Sequence, residues 1–493
     1  MRARVEQMTV GARRVPRGPL ATALLADLLI SCGNWGFEIA LVVTAFRRGG
    51  ASAVALMAAA RLLPAMLAAP ISGRLLDRLD RGRIVVTTCS VQAICFGGGA
   101  LLILEHSPLP LIALFTVGGS VTSSAPRPAL QTLIPALADT PDEVTRAVGL
   151  WSMAENGGAL IGSGLGGLAI ALVGTGAIAG GAAAVIGIAV ALAIRLPAVR
   201  ATTADDAPGD AGLSGVLAGA RAVARSPLLR GPFVLFMGLL LLEGTTNVQL
   251  VALAIGRLHL GNGGPGALLT VWGVSGTLGA VVLLRLVRRR GYGLALSVGG
   301  LGFGVFVAVA GLGDRALALA SMVPLGLGFA LIEAGVMAII PRLVDDALVG
   351  RVYGLMEMIY SGGAAAGALI APALISLLGV GGSMVLVGSA LAALTVLLLP
   401  VLGRLDLHQE RAARVRDLLR AIPCFSPLPL PRLERLVQEA QPLHVPAGAT
   451  LIRAGERGDA FYALERGEVE IVEFQRLQGP GSGVGEIALL RDV

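Results

Sequence analysis

The sequence has few charged, aromatic and histidine residues, and it has no lysine. Charged residues make up 14% of its 493 residues and aromatic residues 4%, and there are only four histidines. Soluble domains carry about 25% charged residues, so this composition excludes an ordinary soluble protein. The sequence also lacks a recognisable Ser/His/Asp cluster, a Walker loop and a dinucleotide fingerprint. We therefore expect no enzymatic activity.

Cysteine spacing and net charge exclude two further classes of protein. Cys32, Cys89 and Cys95 lie in apolar segments and Cys424 lies in the C-terminal tail. No pair has metal-ligand spacing and no disulfide framework is indicated, so we expect no bound metal. The net charge is +7, but no basic stripe is interleaved with aromatic residues, so we expect no nucleic-acid partner.

Long apolar blocks dominate the sequence. Hydrophobic residues make up 55% of the chain, in blocks of about 20 residues, the length that crosses a bilayer as a helix. The pattern predicts an all-α polytopic membrane protein. Twelve spans are predicted, at residues 20–46, 52–72, 84–104, 109–134, 147–173, 175–196, 231–256, 266–287, 293–312, 316–340, 352–378 and 381–402.

Arginine is concentrated in alternate loops between these spans. The loops of one set are rich in arginine, whereas the opposite set holds only Arg47, Arg48, Arg257 and Arg315. Basic residues collect on the cytoplasmic side of membrane proteins, so both termini are predicted to be cytoplasmic. We expect a multi-pass protein of a bacterial plasma membrane, with the lipid bilayer as its surroundings.

The two halves of the apolar region repeat. Arg17-Gly18-Pro19 recurs 213 residues later, and the same offset relates Asn34 to Asn247. An offset of 205 relates Arg146, Gly149, Gly157, Gly158 and Gly162 to Arg351, Gly354, Gly362, Gly363 and Gly367. A parallel six-plus-six repeat is the plan of transporters with a midplane substrate site. We predict a cytoplasmic segment 1–18, bundles 19–196 and 231–402, a cytoplasmic linker 197–230, a linker helix 403–422 and a C-terminal domain 423–493.

Several spans carry polar and ionisable residues, which are costly in a bilayer and are therefore candidate functional residues. Four polar residues of the first span form one stripe at i, i+4, i+7 and i+11, and Ser120 begins the same spacing in the fourth span. Either they surround a polar cavity that exchanges protons, or they form a structural Arg–carboxylate network. For the whole set we predict a substrate and proton cavity lined by Asp27, Ser31, Asn34, Glu38, Ser124, Arg127, Gln131, Glu243, Asn247 and Glu333. Glu155, Glu357 and Arg61 are predicted to be packing or gate residues.

These features resemble the major facilitator superfamily, in its actinobacterial drug-efflux-like members. The segment "GRLLDRLDRGR" is similar to the superfamily's Gly-x-Leu-x-Asp-Arg signature, through Gly73, Asp77, Arg78 and Arg83, although Asp80 replaces the second glycine. The resemblance implies that this loop controls conformational change, with Asp77 able to cap a helix. It also implies that spans one, four, seven and ten line the cavity.

A second segment, "GALIGSGLGG", resembles the superfamily's antiporter motif. Gly158, Gly162, Gly166 and Gly167 match the motif, and Ser163 stands where the family has proline. Small residues at this spacing allow helices to approach closely. The motif implies export by antiport, with protons and an organic small molecule or drug as the transported species.

The tail resembles the cyclic nucleotide-binding domain of catabolite activator and of protein kinase regulatory subunits. Glycines at turns between short alternating runs ("ATLIR", "AFYALE", "EVEIVEF") predict a small α+β domain with antiparallel strands. The resemblance assigns the ribose contact to Glu486 and the cyclic phosphate to amides near Gly485 and Ala488. The chain stops before the family's phosphate-binding Pro-Arg. We therefore expect poor binding of cAMP or cGMP, and a truncated sequence rather than a functional half-domain.

Two classes of function remain open from the sequence. The favoured one is a proton-coupled exporter with a cyclic nucleotide-binding-like regulatory tail. The alternative is a cyclic-nucleotide-responsive signalling protein or channel that does not transport. A channel of that kind predicts about six spans and a filter loop of carbonyl groups, neither of which is visible in the sequence.

Overall fold

A computed structural model divides the chain into two compact units, Met1–Leu402 and Gly403–Val493. It describes residues 18–78, 80–127, 129–130, 133, 141–196, 213–344, 346–426, 428, 430–453, 460–472 and 475–485. Within these ranges it describes only the backbone at residues 69–78, 141–146, 148–149, 152, 213–214, 280, 284, 288–289, 341–342, 346–347, 430–431, 434–435 and 438.

The first unit is helical throughout its described part. Its elements are α1 (Pro19–Arg78), α2 (Arg81–Leu104), α3 (Leu109–Ser123), α4 (Pro141–Ala159), the π-helix π1 (Leu160–Leu165), α5 (Gly166–Val173), α6 (Thr175–Ala193), α7 (Leu213–Arg225), α8 (Pro227–Val251), the π-helix π2 (Ala252–Arg257), α9 (Gly264–Arg290), α10 (Tyr292–Leu312), α11 (Arg315–Leu343) and α12 (Asp346–Ala421).

Twelve apolar spans can be counted in the described part of the chain. Nine helices are long and apolar enough to cross a membrane. Two of these contain two spans each, because α1 bends at Gly49 and Gly50 and α12 bends at Gly379. The shorter apolar helix α3 brings the total to twelve. The predicted polytopic fold is confirmed.

The outer surface of this unit is apolar, as a lipid-facing surface requires. Large aliphatic side chains there are strongly exposed, among them Leu67, Leu172, Leu377 and Leu397. The core of the first bundle lies where α1, α2 and α6 meet, and there the rings of Phe37 and Phe96 stack with centroids 3.9 Å apart. Polar residues between the helices are therefore shielded from lipid.

The predicted fourth span is interrupted, and the prediction of one helix over 109–134 was wrong in this respect. Helix α3 ends at Ser123, a turn follows at Ser124 and Ala125, and helical residues resume at Pro126. Proline has no backbone N–H and disfavours helical geometry in the residue before it. Pro126 thus accounts for the break, and Arg127 follows it directly.

Two glycines show the predicted repeat in the backbone. Gly174 ends the fifth span with φ 83° and ψ 166°, and Gly379 ends the eleventh span with φ 69° and ψ 171°. This region of φ and ψ is open essentially to glycine alone. The two positions differ by 205 residues, the offset that relates the other glycines of these spans.

Helix contacts repeat in the same way. A Cβ atom on Gly162 would collide with the carbonyl oxygen of Cys32 in the first span, and one on Gly367 would collide with the carbonyl oxygen of Leu241 in the seventh. Gly162 and Gly367 are equivalent at the offset of 205. In each bundle, the fifth helix therefore contacts the backbone of the first.

The second unit is small and contains short strands. It contains the end of α12, then α13 (Leu430–Glu439), β1 (Tyr462–Ala463), β2 (Val469–Ile471), β3 (Arg476–Gln478) and β4 (Gly483–Val484). β1 pairs with β4 and β2 with β3, both antiparallel. The run "ATLIR" at residues 449–453 is not a strand, contrary to its alternation, because no described segment pairs with it.

Candidate functional site

The polar residues of the first unit include two ion pairs. Arg127 Nε lies 2.7 Å from Glu155 Oε1, and Arg61 Nη2 donates to Glu38 Oε1 at 2.6 Å. Their side chains are 49%, 25%, 35% and 23% exposed in that order. The four charged side chains are therefore only partly covered by the helices around them.

The two pairs lie at different heights along the first span. Glu38 is eleven residues after Asp27 on α1, which corresponds to roughly 16 Å along the helix axis. Asp27 interacts electrostatically with Arg127 and Glu155, whereas Glu38 carries the second pair. The charged residues therefore extend along a path and are not confined to one point.

Both bundles contribute to this network. Arg127 of the first bundle interacts electrostatically with Glu333, Glu357 and Tyr360 of the second. Glu243 of the second bundle interacts with Glu38 and Arg61 of the first. Glu333 and Glu243 both interact with Tyr360. These links join the two ion pairs into one network that crosses between the bundles.

Asp27 has the most restricted environment of the group. Its side chain is buried, and Oδ2 has no hydrogen-bond partner among the described residues. Trp151 lies beside it, but the indole Nε1 does not reach hydrogen-bond geometry. A buried carboxylate oxygen without a donor is costly, so this group favours a proton or another positive charge.

Negative groups outnumber positive groups in the network. Six carboxyl groups (Asp27, Glu38, Glu155, Glu243, Glu333 and Glu357) face two guanidinium groups (Arg61 and Arg127), an excess of four. Yet no group of three or more His, Cys, Asp or Glu residues in the described part of the chain could hold a metal ion. Carboxyl groups without a counter-charge are costly away from water, so this excess is the main electrostatic feature of the network.

Other predicted cavity residues form local contacts. Ser31 donates to the backbone oxygen of Glu155 at 2.7 Å, and Ser124 donates to that of Val121 at 2.9 Å. Asn34 accepts from Gln92 at 2.6 Å, and Asn247 donates to Glu243 at 2.7 Å. Gln131 lies outside the described residues. These serine and asparagine side chains fix helices or orient a carboxylate.

The structure brings in four residues that the sequence did not indicate as site residues. They are Arg61, Glu155, Glu357 and Tyr360. A signal for two of them was present, because the repeat offset of 205 relates Glu155 to Tyr360. Equivalent positions of the two bundles thus both lie beside Arg127.

The glycine motif of the fifth span contacts both bundles. Gly158 and Gly162 pack on the backbone of α1, Gly166 lies near Gly36, and Gly167 meets Gly266 of α9. Ser163, which replaces the family's proline, lies in π1 and donates to the oxygen of Ala159 at 2.8 Å. The span is therefore distorted here by a π-helix, a feature frequent at functional sites.

The loop after the second span is described only in part. Only the backbone is described at Gly73, Asp77 and Arg78, and Arg83 is exposed on α2. Asp80, which replaces the motif's second glycine, caps α2 by accepting from the Arg83 amide at 2.9 Å. The structure thus shows a helix cap at Asp80, and the cap predicted at Asp77 stays a prediction.

The predicted nucleotide contacts lie at the edge of the described tail. Gly485 follows β4 with φ 104°, a left-handed conformation that favours glycine. Glu486 and Ala488 lie outside the described residues.

The chain is similar to curated proteins over a short segment. Over 94 residues it is 33% identical to a cAMP-dependent protein kinase regulatory subunit of Aspergillus fumigatus and 32% identical to that of Aspergillus niger. These matches cover 18% of this chain and 22% and 23% of the relatives. The chain thus spans about a fifth of the length of the curated relatives it matches.

Solved transporter structures share the fold over most of the chain. The nucleoside transporter NupG superposes with a TM-score of 0.64 at 13% identity, covering 78% of this chain and 99% of that one. A POT family transporter in complex with 5-aminolevulinic acid superposes with a TM-score of 0.63 at 12% identity, covering 78% and 96%. The family model of the Major Facilitator Superfamily matches residues 23–314, more than half of the 493-residue chain. The chain therefore belongs to the Major Facilitator Superfamily of membrane transporters.

Proposed function

We propose that this transporter is a proton-coupled exporter of an organic small molecule or drug, and that its C-terminal tail is a cyclic nucleotide-binding-like regulatory domain. The observation that carries the transport proposal is the excess of carboxyl groups in a network shared by both bundles. Unbalanced carboxylates are too costly to persist inside a bilayer. Protons or a cationic substrate would balance them.

Rocking of the two bundles would change which charges meet. Arg127 is paired with Glu155 of its own bundle, and Glu333 and Glu357 of the other bundle are within electrostatic reach. When the bundles separate on one side, Arg127 would move away from Glu333 and Glu357. Those two carboxyl groups would then lose the positive charge that stabilises their ionised form. Proton uptake or release would then accompany the conformational change.

The proposal of export rests on the glycine motif. Gly164 of π1 and Gly167 of α5 closely approach Thr270 and Gly266 of α9, across the interface between the bundles. A tight seal at this interface would limit proton leak during exchange. The motif's similarity to that of antiporters supports outward transport of the substrate against inward movement of protons.

A vesicle assay tests the transport proposal. Inside-out membrane vesicles holding the protein are incubated with a panel of fluorescent dyes and drugs, and uptake is measured with and without a pH gradient. We expect uptake that the gradient drives and that D27N and E38Q abolish. The matched control is E105Q, since Glu105 is an exposed acidic residue at the end of α2 outside the network. Proton coupling would be refuted if uptake did not depend on the pH gradient, or if D27N and E38Q took up the compound at the wild-type rate.

Regulation by the tail is tested separately. The 94-residue similarity to kinase regulatory subunits supports this part of the proposal. Calorimetry of the full chain with cAMP and cGMP is compared with that of a chain extended by the family's Pro-Arg segment. We expect the extended chain to bind nucleotide more tightly, because the arginine adds a charge-assisted contact to the phosphate. Binding in neither would argue against a regulatory tail.

A further inference from the structure

A cavity of about 390 Å³ opens at one end of the first bundle. Its ten lining residues come from the corner of α1, the end of α2 and the junction of α5 and α6. None of them belongs to the second bundle or to the charged network. The cavity is therefore separate from the proposed transport path.

Positive groups line this cavity. Arg47 is exposed and forms no hydrogen bond with any described residue, whereas Arg48 is anchored by donating to Ser107 O at 2.6 Å and to Ile103 O at 3.1 Å. His106 also lines the cavity, with Nδ1 2.9 Å from the oxygen of Leu104. No lining residue is acidic, and the neighbouring Glu105 is exposed outside the lining. Arg47 thus carries an uncompensated charge.

The start of α6 also faces the cavity. Gly174, Thr175 and Gly176 line it, and the cap residue Gly174 has no side chain to satisfy the first amide groups of this 19-residue helix. The first amides of a helix have no partner within the helix and carry partial positive charge. Two guanidinium groups and a helix start therefore converge on one space, and these groups favour an anion.

The equivalent of Gly176 in the second bundle contacts an arginine. Gly381 is the repeat counterpart of Gly176 at the offset of 205. There the guanidinium of Arg257 packs against Gly381 and donates to the oxygen of Gly311. In the first bundle, Gly176 instead lines the cavity.

We propose that this cavity binds the phosphate group of an anionic membrane lipid. The cavity lies at the ends of spans, which is the level of the lipid headgroups. Ile103, Leu104 and Val173 form an apolar wall that suits the glycerol and the upper part of an acyl chain. Soluble phosphate is also negatively charged, but it has no apolar part that could contact this wall.

Native mass spectrometry of the purified full chain tests this proposal, by titration with short-chain phosphatidylglycerol, short-chain phosphatidylcholine or inorganic phosphate. We expect phosphatidylglycerol to bind most tightly. R47Q is expected to weaken that binding by about ten- to a hundredfold, the factor expected for loss of one charge-assisted hydrogen bond. The control R290Q removes an exposed arginine at the far end of α9 and is expected to keep wild-type affinity.

A second variant separates binding from folding. T175D puts a carboxylate at the start of α6, where it favours the helix but occupies the place of the ligand. We expect T175D to lose phosphatidylglycerol binding without a lower unfolding temperature. Wild-type affinity for phosphatidylglycerol in R47Q and T175D, or phosphatidylcholine that binds the wild-type protein as tightly as phosphatidylglycerol, would overturn the site. Inorganic phosphate that binds as tightly as the lipid would overturn the lipid assignment and identify soluble phosphate as the occupant.

Discussion

The contact between the fifth and first spans gives the sharpest stability prediction. Gly162 of π1 lies against the backbone of α1, and its repeat counterpart Gly367 lies against the backbone of α8. Gly187 of α6 has open space around the position of a Cβ atom. We predict that G162A and G367A both destabilise the protein, whereas G187A does not.

The magnitude follows from the distances. A Cβ atom on Gly162 would lie 2.9 Å from the amide nitrogen of Gly36 and 3.0 Å from the carbonyl carbon of Cys32. Favourable contacts lie at about 3.5–4.0 Å, so the two helices must separate by roughly 0.5–1 Å. Such overpacking costs about 1–3 kcal/mol, and alanine recovers up to about 1 kcal/mol of helix propensity. With a backbone neighbour that cannot rotate away, we expect a net loss of about 2 kcal/mol.

Thermal unfolding of the detergent-purified protein, followed by tryptophan fluorescence, measures this effect. G187A gains only helix propensity, so it should differ from G162A by about 3 kcal/mol in the free energy of unfolding. G367A should resemble G162A, because the repeat gives it the same contact. Equal unfolding temperatures for G162A and G187A would show that the helices do not meet as described.

Further variants at four positions test single interactions. D27N should abolish gradient-driven transport and leave the unfolding temperature unchanged, because Asp27 Oδ2 has no hydrogen bond to lose. A large fall in the unfolding temperature would instead assign Asp27 a structural role. R48Q and R257Q should each lower stability by about 1–3 kcal/mol, since each guanidinium donates to carbonyl oxygens at the end of a helix; unchanged unfolding temperatures would contradict those contacts. D80A should cost about 0.5–2 kcal/mol through loss of the α2 cap, and D80N, which can still cap, should cost less.

The membrane fold was predictable because it depends on patterns that are local in sequence. Apolar length identified the spans, and glycine offsets identified the repeat that Gly174 and Gly379 show in the backbone. The break before Pro126 could also have been predicted from the proline itself. The π-helix at Ser163 could not, because nothing in the local sequence distinguishes it from an α-helical turn.

The site was less predictable because its partners lie far apart in sequence. Stripes of polar residues indicated Asp27, Glu38 and Arg127, but not which charge pairs with which. Arg61 and Glu155 have few polar neighbours within their own spans, so the sequence pattern did not indicate that they belong to the cavity. Only packing of separate helices brings Arg61 to Glu38 and Glu155 to Arg127.

Proton movement during transport is the most direct test of the central claim, that excess carboxyl groups shared by the two bundles couple protons to substrate. The protein is reconstituted into liposomes with a trapped pH dye, and a transported compound is added at one side with no imposed pH gradient. We predict that substrate movement in one direction is accompanied by proton movement in the other, and that D27N removes the proton signal. Substrate movement with no change of internal pH in the wild-type protein would contradict this account.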